Sequence, residues 1–270
     1  MKMSQFLSRN PHAVFSLGEL DQFLQKQGTT NRATRNALLS YYRRKGRVVH
    51  VKRGLYVEFA LGSTPESGAV DPFLIAAKMT PDAVLAYHTA LEFYGKAYSV
   101  FNRFLYFSNR FSVPVHFRNY EFRCVLTPRK LKAKGRTDFG VKESEHSGIS
   151  LRVTSFERTL VDVLDRPDLS GGWEEIWRSL ELVEFFDLDV VVEYAVLLGN
   201  ATTAAKVGFF LEQHRDSLMV EDAYLKRLQD LRPRHPSYMD YNQRKSGRLV
   251  SGWNLVVPKE VYARSWEEVL

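Results

Sequence analysis

The chain of 270 residues is 44% hydrophobic and 26% charged, with a formal net charge of +7 and one cysteine. That balance is ordinary for a globular chain and excludes a mainly disordered one. Apolar runs fall short of the roughly 20 residues that a membrane helix needs, the first residues hold no signal-peptide core, and Cys124 alone leaves no internal disulfide and no multi-cysteine zinc site. The expectation is a cytoplasmic protein without a membrane partner.

The charge is unevenly spread. Residues 1–60 hold eleven Lys and Arg against Glu19, Asp21 and Glu58, so this segment carries +8 and the other 210 residues carry −1. Farther on, residues 143–193 carry −9, while 129–142 and 226–248 carry +5 each. A localised cationic field is a statement about polyanionic partners.

In the cationic segment, Leu17, Leu20, Phe23 and Leu24 recur at helical spacing. Ser16 and Glu19 form a capping box, and Gly28 ends the helix. Thr29 and Thr30 supply a new cap for a helix from Asn31 to about Lys45, stopped by Gly46, with Thr34, Leu38, Tyr41 and Tyr42 as its inward stripe. Val48–Val51 and Leu55–Val57 read as two short strands around a basic turn, Lys52-Arg53-Gly54. Helix, turn, helix and basic hairpin make the plan of a winged helix-turn-helix.

That plan suits duplex DNA. A helix fits the major groove and its amino-terminal residues reach base edges. Asn31 and Asn36 can pair with adenine edges, Arg32 and Arg35 with guanine or phosphate, and Thr30 with phosphate at the helix start. Arg43 extends the basic face; Lys52 and Arg53 place the hairpin tip on the backbone or minor groove. About six neutralised phosphates give a log-affinity against log-salt slope near −5.

Leu61–Gly68 reads as a linker, which sets a boundary between 1–62 and 63–270. Asp71-Pro72 opens a helix, and Thr80-Pro81 opens another over Asp82–Tyr94 that Gly95 ends. Val100–Val125 turns to alternating strands, with a hairpin at Arg118-Asn119. Lys130–Ser150 reads as loop with a strand or two. Thr154-Ser155-Phe156-Glu157 reads as a capping box for a helix over Arg158–Leu164, Pro167–Gly172 breaks it, and Trp173 starts the next. Helices follow over Val190–Leu198 and Ala201–Glu212; then comes a basic, turn-rich tail and a closing strand at Trp253–Pro258. The fold class is α+β: a winged helix followed by a larger mixed domain ending in helices.

Catalytic signatures are scarce. There is no Gly-x-Ser-x-Gly, no P-loop glycine-lysine motif and no Glu-x-Lys nuclease triplet, and the seven histidines form no i, i+4 pair. Asp162, Asp165 and Asp168 read as solvated turn acids and Cys124 as a buried small apolar group. The sequence leads to no catalytic residue, metal or cofactor, and to a protein that is not an enzyme.

Several segments in order resemble the AbiEi family, antitoxins of type IV toxin–antitoxin systems known from phage abortive infection. They are Arg53-Gly54-Leu55-Tyr56-Val57, Ala86–Glu92 with Gly95, Ser155–Asp162, Gly171–Glu175, Ala205–Phe209 and the closing Trp253-x-Leu-x-Val-Pro258. The resemblance spans nearly the whole chain. It implies a winged helix that binds inverted repeats in its own promoter and represses the operon, and a larger domain that counteracts a nucleotidyltransferase toxin of the AbiEii type. It matches Arg32, Arg35, Arg53 and Gly54 to the DNA-binding part and assigns no toxin-neutralising residue; His88 and Asp162 fall in matching segments as supports of the fold. The rivals are a ligand-sensing transcription regulator, favoured by an apolar pocket with convergent polar groups, and a nuclease fused to a winged helix, favoured by clustered carboxylates around a cavity.

Overall fold

Ser16 opens the first helix by the expected reciprocal cap: its hydroxyl accepts from Glu19 N at 3.2 Å, and Ser16 N donates to Glu19 Oε2 at 2.7 Å. The helix (α1, Leu17–Lys26) ends at a turn where Gly28 takes φ +73°, a left-handed conformation that glycine adopts at little cost. Asn31 caps α2 (Arg32–Arg44), and two strands follow, β2 (Val48–Lys52) and β3 (Leu55–Glu58). A strand that the sequence reading missed, β1 (Val14–Ser16), pairs antiparallel with β3, so the sheet order is β1-β3-β2. Phe6, Phe15, Leu20, Leu24, Leu39 and Val48 form the core between helices and sheet.

The computed structural model describes Phe6 and residues 14–59, 68–243 and 246–267. The expected linker, apart from Gly68, and the 62/63 boundary lie outside them. The chain falls into two units. The first contains the described residues through Ala83, with Asn102–Val125 and Ser144–Leu151; the second contains Val84–Phe101, Leu126–Glu143 and the described residues from Arg152 onward. The architecture is mixed α+β.

In the first unit, α3 (Pro72–Ala77) starts at Asp71, whose carboxylate accepts from Phe73 N and Leu74 N. It packs against β5 (Arg103–Ser108). The expected hairpin is present: β6 (Val115–Phe117) pairs antiparallel with β7 (Tyr120–Leu126), with Arg118 in the turn at φ +56°. Cys124 is buried on β7.

The second unit contains β4 (Val84–Leu85), which pairs parallel with β9 (Ile149–Thr154) at Leu85 and Val153, and α4 (His88–Phe93). The expected helix over Asp82–Tyr94 is therefore two elements. Ala83–Ala90 is continuously buried, and a buried parallel strand and a buried helix give the same apolar run. Tyr87, at φ +56°, separates them. Next come α5 (Arg129–Ala133) and β8 (Val141–His146), then α6 (Phe156–Asp165), α7 (Trp173–Glu181), α8 (Leu188–Leu198), α9 (Ala201–Gln213) and α10 (Asp222–Gln229). Helices α6, α8, α9 and α10 pack on one another. A small sheet of β10 (Ser237–Tyr238), β12 (Leu255–Pro258) and β11 (Gly247–Val250), in that order, precedes α11 (Lys259–Ala263). The tail read as turns thus holds a helix, α10, which buries Leu225 and Leu228.

At the end of β3, Arg47 Nη2 lies 2.8 Å from Glu58 Oε1, while Glu58 Oε2 and Arg47 Nε are buried with no hydrogen-bond partner among the described residues. Burial pushes the Glu58 carboxyl up to about 7 despite Arg47. A carboxyl with a raised folded pKa adds stability below its unfolded pKa and loses that contribution as pH rises through the folded value. The melting temperature of the wild type is therefore expected to fall between pH 5 and 8 relative to Glu58→Gln, which does not titrate. Parallel curves for the two proteins in thermal melts across that range would contradict this account.

Candidate nucleic-acid interface

The inward stripe of α2 is one residue off the expected one. Leu39 is its buried residue, Leu38 and Tyr42 are half-buried, and Thr34 and Tyr41 are exposed, Tyr41 by 49%. The stripe is 35, 38, 39 and 42, which puts Arg35 on the side facing α1. There Arg35 Nη1 donates to both oxygens of Asp21, at 2.8 and 3.1 Å, and Nε and Nη2 donate to Asn36 Oδ1 at 3.2 and 3.1 Å. The Arg35 side chain is 13% exposed. A planar guanidinium held at both edges sets the relation of the two helices. Asn31, the N-cap, is also engaged: its Oδ1 accepts from Ala33 N at 2.8 Å.

What α2 leaves in the open is different. At about 100° per residue, Ala33, Ala37, Ser40 and Arg44 point away from the core, and all four are exposed. Arg32, Asn36 and Arg43 line one flank of that face and are exposed as well. Tyr41 and Lys45 lie on the other flank, Lys45 Nζ standing 5.9 Å from the Tyr41 ring centre. Thr30 is exposed in the turn and Arg53 at the hairpin tip. Burial, then the nearby Arg43, holds the His50 imidazole below its usual pKa, so the ring adds no charge at neutral pH. Lys52 is half-buried and donates to the carbonyl of Met79. Of the eight predicted DNA-binding residues, Thr30, Arg32, Asn36, Arg43 and Arg53 are exposed, Asn31 is exposed with its Oδ1 spent on the helix cap, and Arg35 and Lys52 are tied within the first unit.

In the second unit, His88 and Asp162 are internal, Asp165 is half-buried, and Asp168 is the solvated turn acid that the sequence suggested. His88 Nε2 is 2.9 Å from Glu175 Oε1, its Nδ1 is 3.1 Å from Glu92 Oε1, and its ring stacks on Phe101 at 3.9 Å. Burial opposes the imidazolium, but the two carboxylates hold the His88 pKa above its usual value and Glu175 is driven down to about 2. Asp162 is no turn acid. It lies in mid-α6, fully buried, accepting from Tyr194 Oη at 2.7 Å and Arg158 Nε at 3.4 Å. Burial pushes its carboxyl up to about 6, with Arg158 and Tyr194 acting in the opposite direction. Asp165 accepts from Asn200 and Thr203, and Asp168 pairs with Arg166 at 2.9 Å. Among the described residues, no group of three His, Cys, Asp or Glu side chains is placed to hold a metal ion, and no helix is long and apolar enough to cross a membrane.

The second unit also holds an open pocket of about 680 Å³, lined by Val141, Phe156, Val183 and Val190 and by the charged Lys96, Lys142, Glu157, Glu184 and Asp187.

No protein-family model matches the chain, and no curated protein does. Among solved structures, the crystal structure of the RV2827C protein from Mycobacterium tuberculosis is similar, with a TM-score of 0.65 at 16% identity over 98% of this chain and 94% of that one. The two chains share a fold.

Proposed function

We propose that residues 14–58 are a winged helix-turn-helix that binds duplex DNA, and that the protein is an antitoxin repressing its own operon. The observation that supports the DNA half is the open face of α2. Small side chains at Ala33, Ala37 and Ser40 let the helix approach the floor of a major groove, and Arg32, Asn36 and Arg43 beside them reach its wall. Arg53 at the hairpin tip extends the cationic face toward the neighbouring backbone. Arg35 serves this reading by fixing α2 against α1 rather than by touching DNA. The antitoxin half rests on the ordered segments similar to the AbiEi family. On this reading the protein acts by binding: it occludes its promoter and counteracts a nucleotidyltransferase toxin without catalysis of its own.

Two measurements test the two halves. A mobility shift with DNA from upstream of the gene should show a salt-dependent specific complex; binding no tighter than to unrelated duplex removes the repressor. The reading expects a nucleotidyltransferase gene beside this one, and co-expression with it should restore growth; unrelieved arrest removes the antitoxin.

The second-unit pocket supports a second reading, a regulator that senses a small ligand, because it combines apolar walls with convergent charged groups. Under that reading, Val190→Trp fills the cavity and leaves operator binding insensitive to metabolite extracts that release the wild type.

A further inference from the structure

A second cavity, of about 390 Å³, lies in the first unit between the β2–β3 hairpin and the segment Ala77–Pro81. Three cations, Lys52, Arg53 and Lys78, line it, against one carboxylate, Glu19. Each is placed by a local feature of the fold. A bulge in β2 between His50 and Lys52 shifts the register, and such a shift re-aims the side chain that follows it; Lys52 then reaches the Met79 carbonyl. Lys78 Nζ lies 2.6 Å from Glu19 Oε1, whose other oxygen caps α1. Lys52 has no ion pair among the described residues, and burial holds its ammonium below its usual pKa. The Thr80 hydroxyl is buried at the cavity wall without an aligned hydrogen bond, though close enough to Asp82 to help hold that carboxyl low.

The site therefore carries two uncompensated positive charges, a half-buried ammonium whose hydrogen bond among the described residues goes to a neutral carbonyl, and a buried hydroxyl that can turn its single proton from Asp82 to a bound anion. A phosphate monoester matches that set: it bears a charge of about −1.5 to −2 and three strong acceptor oxygens. The volume is at the small end of the range for small-molecule sites, roughly 300–1,000 Å³, larger than a bare phosphate requires. We propose that this cavity is a binding site for a phosphoryl group, held by Lys52, Lys78 and Thr80. Its occupant is a phosphate-bearing small molecule or, with one charge and two free oxygens and so a weaker match, a backbone phosphate of DNA on the hairpin. The charge of the cavity is independent of the DNA-binding reading; coupling between the site and DNA rests on it.

The test uses the full chain and inorganic pyrophosphate, titrated by calorimetry at constant ionic strength. The expected result is saturable binding that weakens at least tenfold in Lys78→Met and also weakens in Thr80→Val, with the melting temperature of Thr80→Val unchanged. Saturating pyrophosphate is then added to the protein–duplex complex. Displacement of the duplex assigns the site to backbone phosphate, and a duplex that stays bound assigns it to a free phosphorylated ligand; either result supports the site. No saturable binding, or binding that both substitutions leave intact, overturns it. A wild type that takes pyrophosphate but no duplex leaves the cavity standing and removes the repressor instead.

Discussion

Replacing Arg32 and Arg43 together by alanine is expected to lower affinity for a specific duplex by roughly tenfold or more and to make the salt slope shallower by about two. Both side chains are exposed on the flank of the open face of α2, so the fold loses no buried contact and thermal stability should stay within about 0.5 kcal/mol of wild type. The same experiment on Arg35 separates a positioning residue from one that meets DNA. Arg35→Ala breaks the bidentate pair with Asp21 and the bonds to Asn36. It should weaken binding and also lower stability by about 0.5–1 kcal/mol, the upper range for a partly exposed pair of good geometry.

Asp21→Asn sharpens the contrast. It removes one of the three acids of the first sixty residues and frees the Arg35 guanidinium, so non-specific affinity rises while stability falls slightly. If Arg32→Ala with Arg43→Ala leaves both affinity and salt slope at wild-type values, α2 does not face the DNA and the proposed interface is wrong.

The rotation of α2 shows where the sequence was legible and where it stopped. The helix and its glycine stop could be read because each depends on a few adjacent residues, while the cap falls on Asn31 rather than on the expected Thr29-Thr30. Its orientation depends on what covers it, and two stripes one residue apart were compatible with the pattern. Thr34, Leu38, Tyr41 and Tyr42 scored well on side-chain type; the packed stripe includes Arg35, because a guanidinium can be satisfied by Asp21 on the facing helix. The spacing of that pair, fourteen residues across a turn, offered no local signal. Two other buried groups did leave one. Arg158 and Asp162, and likewise His88 and Glu92, are opposite in charge at i, i+4 on apolar helices, a spacing that brings the side chains together. Asp162 lies amid Leu160, Val161, Val163 and Leu164, which marks it as buried rather than as a turn acid. For β1 and β4 the sequence had too little to say: three residues and two residues carry no period, and only the partner strand defines them.

Two pairs of the segments that resemble the AbiEi family meet within the second unit. Ala86–Glu92 touches Gly171–Glu175 through His88 and Glu175, 2.9 Å apart. Ala205–Phe209 meets the closing Trp253 segment at Gly208. Scattered short motifs of this kind are what packing contacts look like when written along a chain, and they carry information about fold before any about chemistry.

Gly208 gives the sharpest stability test. A helix-interior glycine is replaced by alanine with an ordinary gain of about 1 kcal/mol. Here a Cβ would come within 2.2 Å of the Trp253 ring. That indole is fully buried and its Nε1 donates to Glu212 Oε2 at 2.7 Å, so the ring is anchored and cannot swing aside without breaking the bond. Gly208→Ala is therefore expected to destabilise by about 1–3 kcal/mol, or more if the ring is expelled. Trp253→Ala should cost about 3–5 kcal/mol through the cavity it leaves. The two losses should not add: in Gly208→Ala combined with Trp253→Ala, the new methyl occupies space the smaller side chain vacates, and the double variant should be more stable than the sum of the single changes by at least ~1 kcal/mol. Denaturant unfolding of the four proteins measures that coupling. A Gly208→Ala protein that unfolds at the wild-type midpoint or above would mean that the α9 backbone and the closing segment are not packed as described.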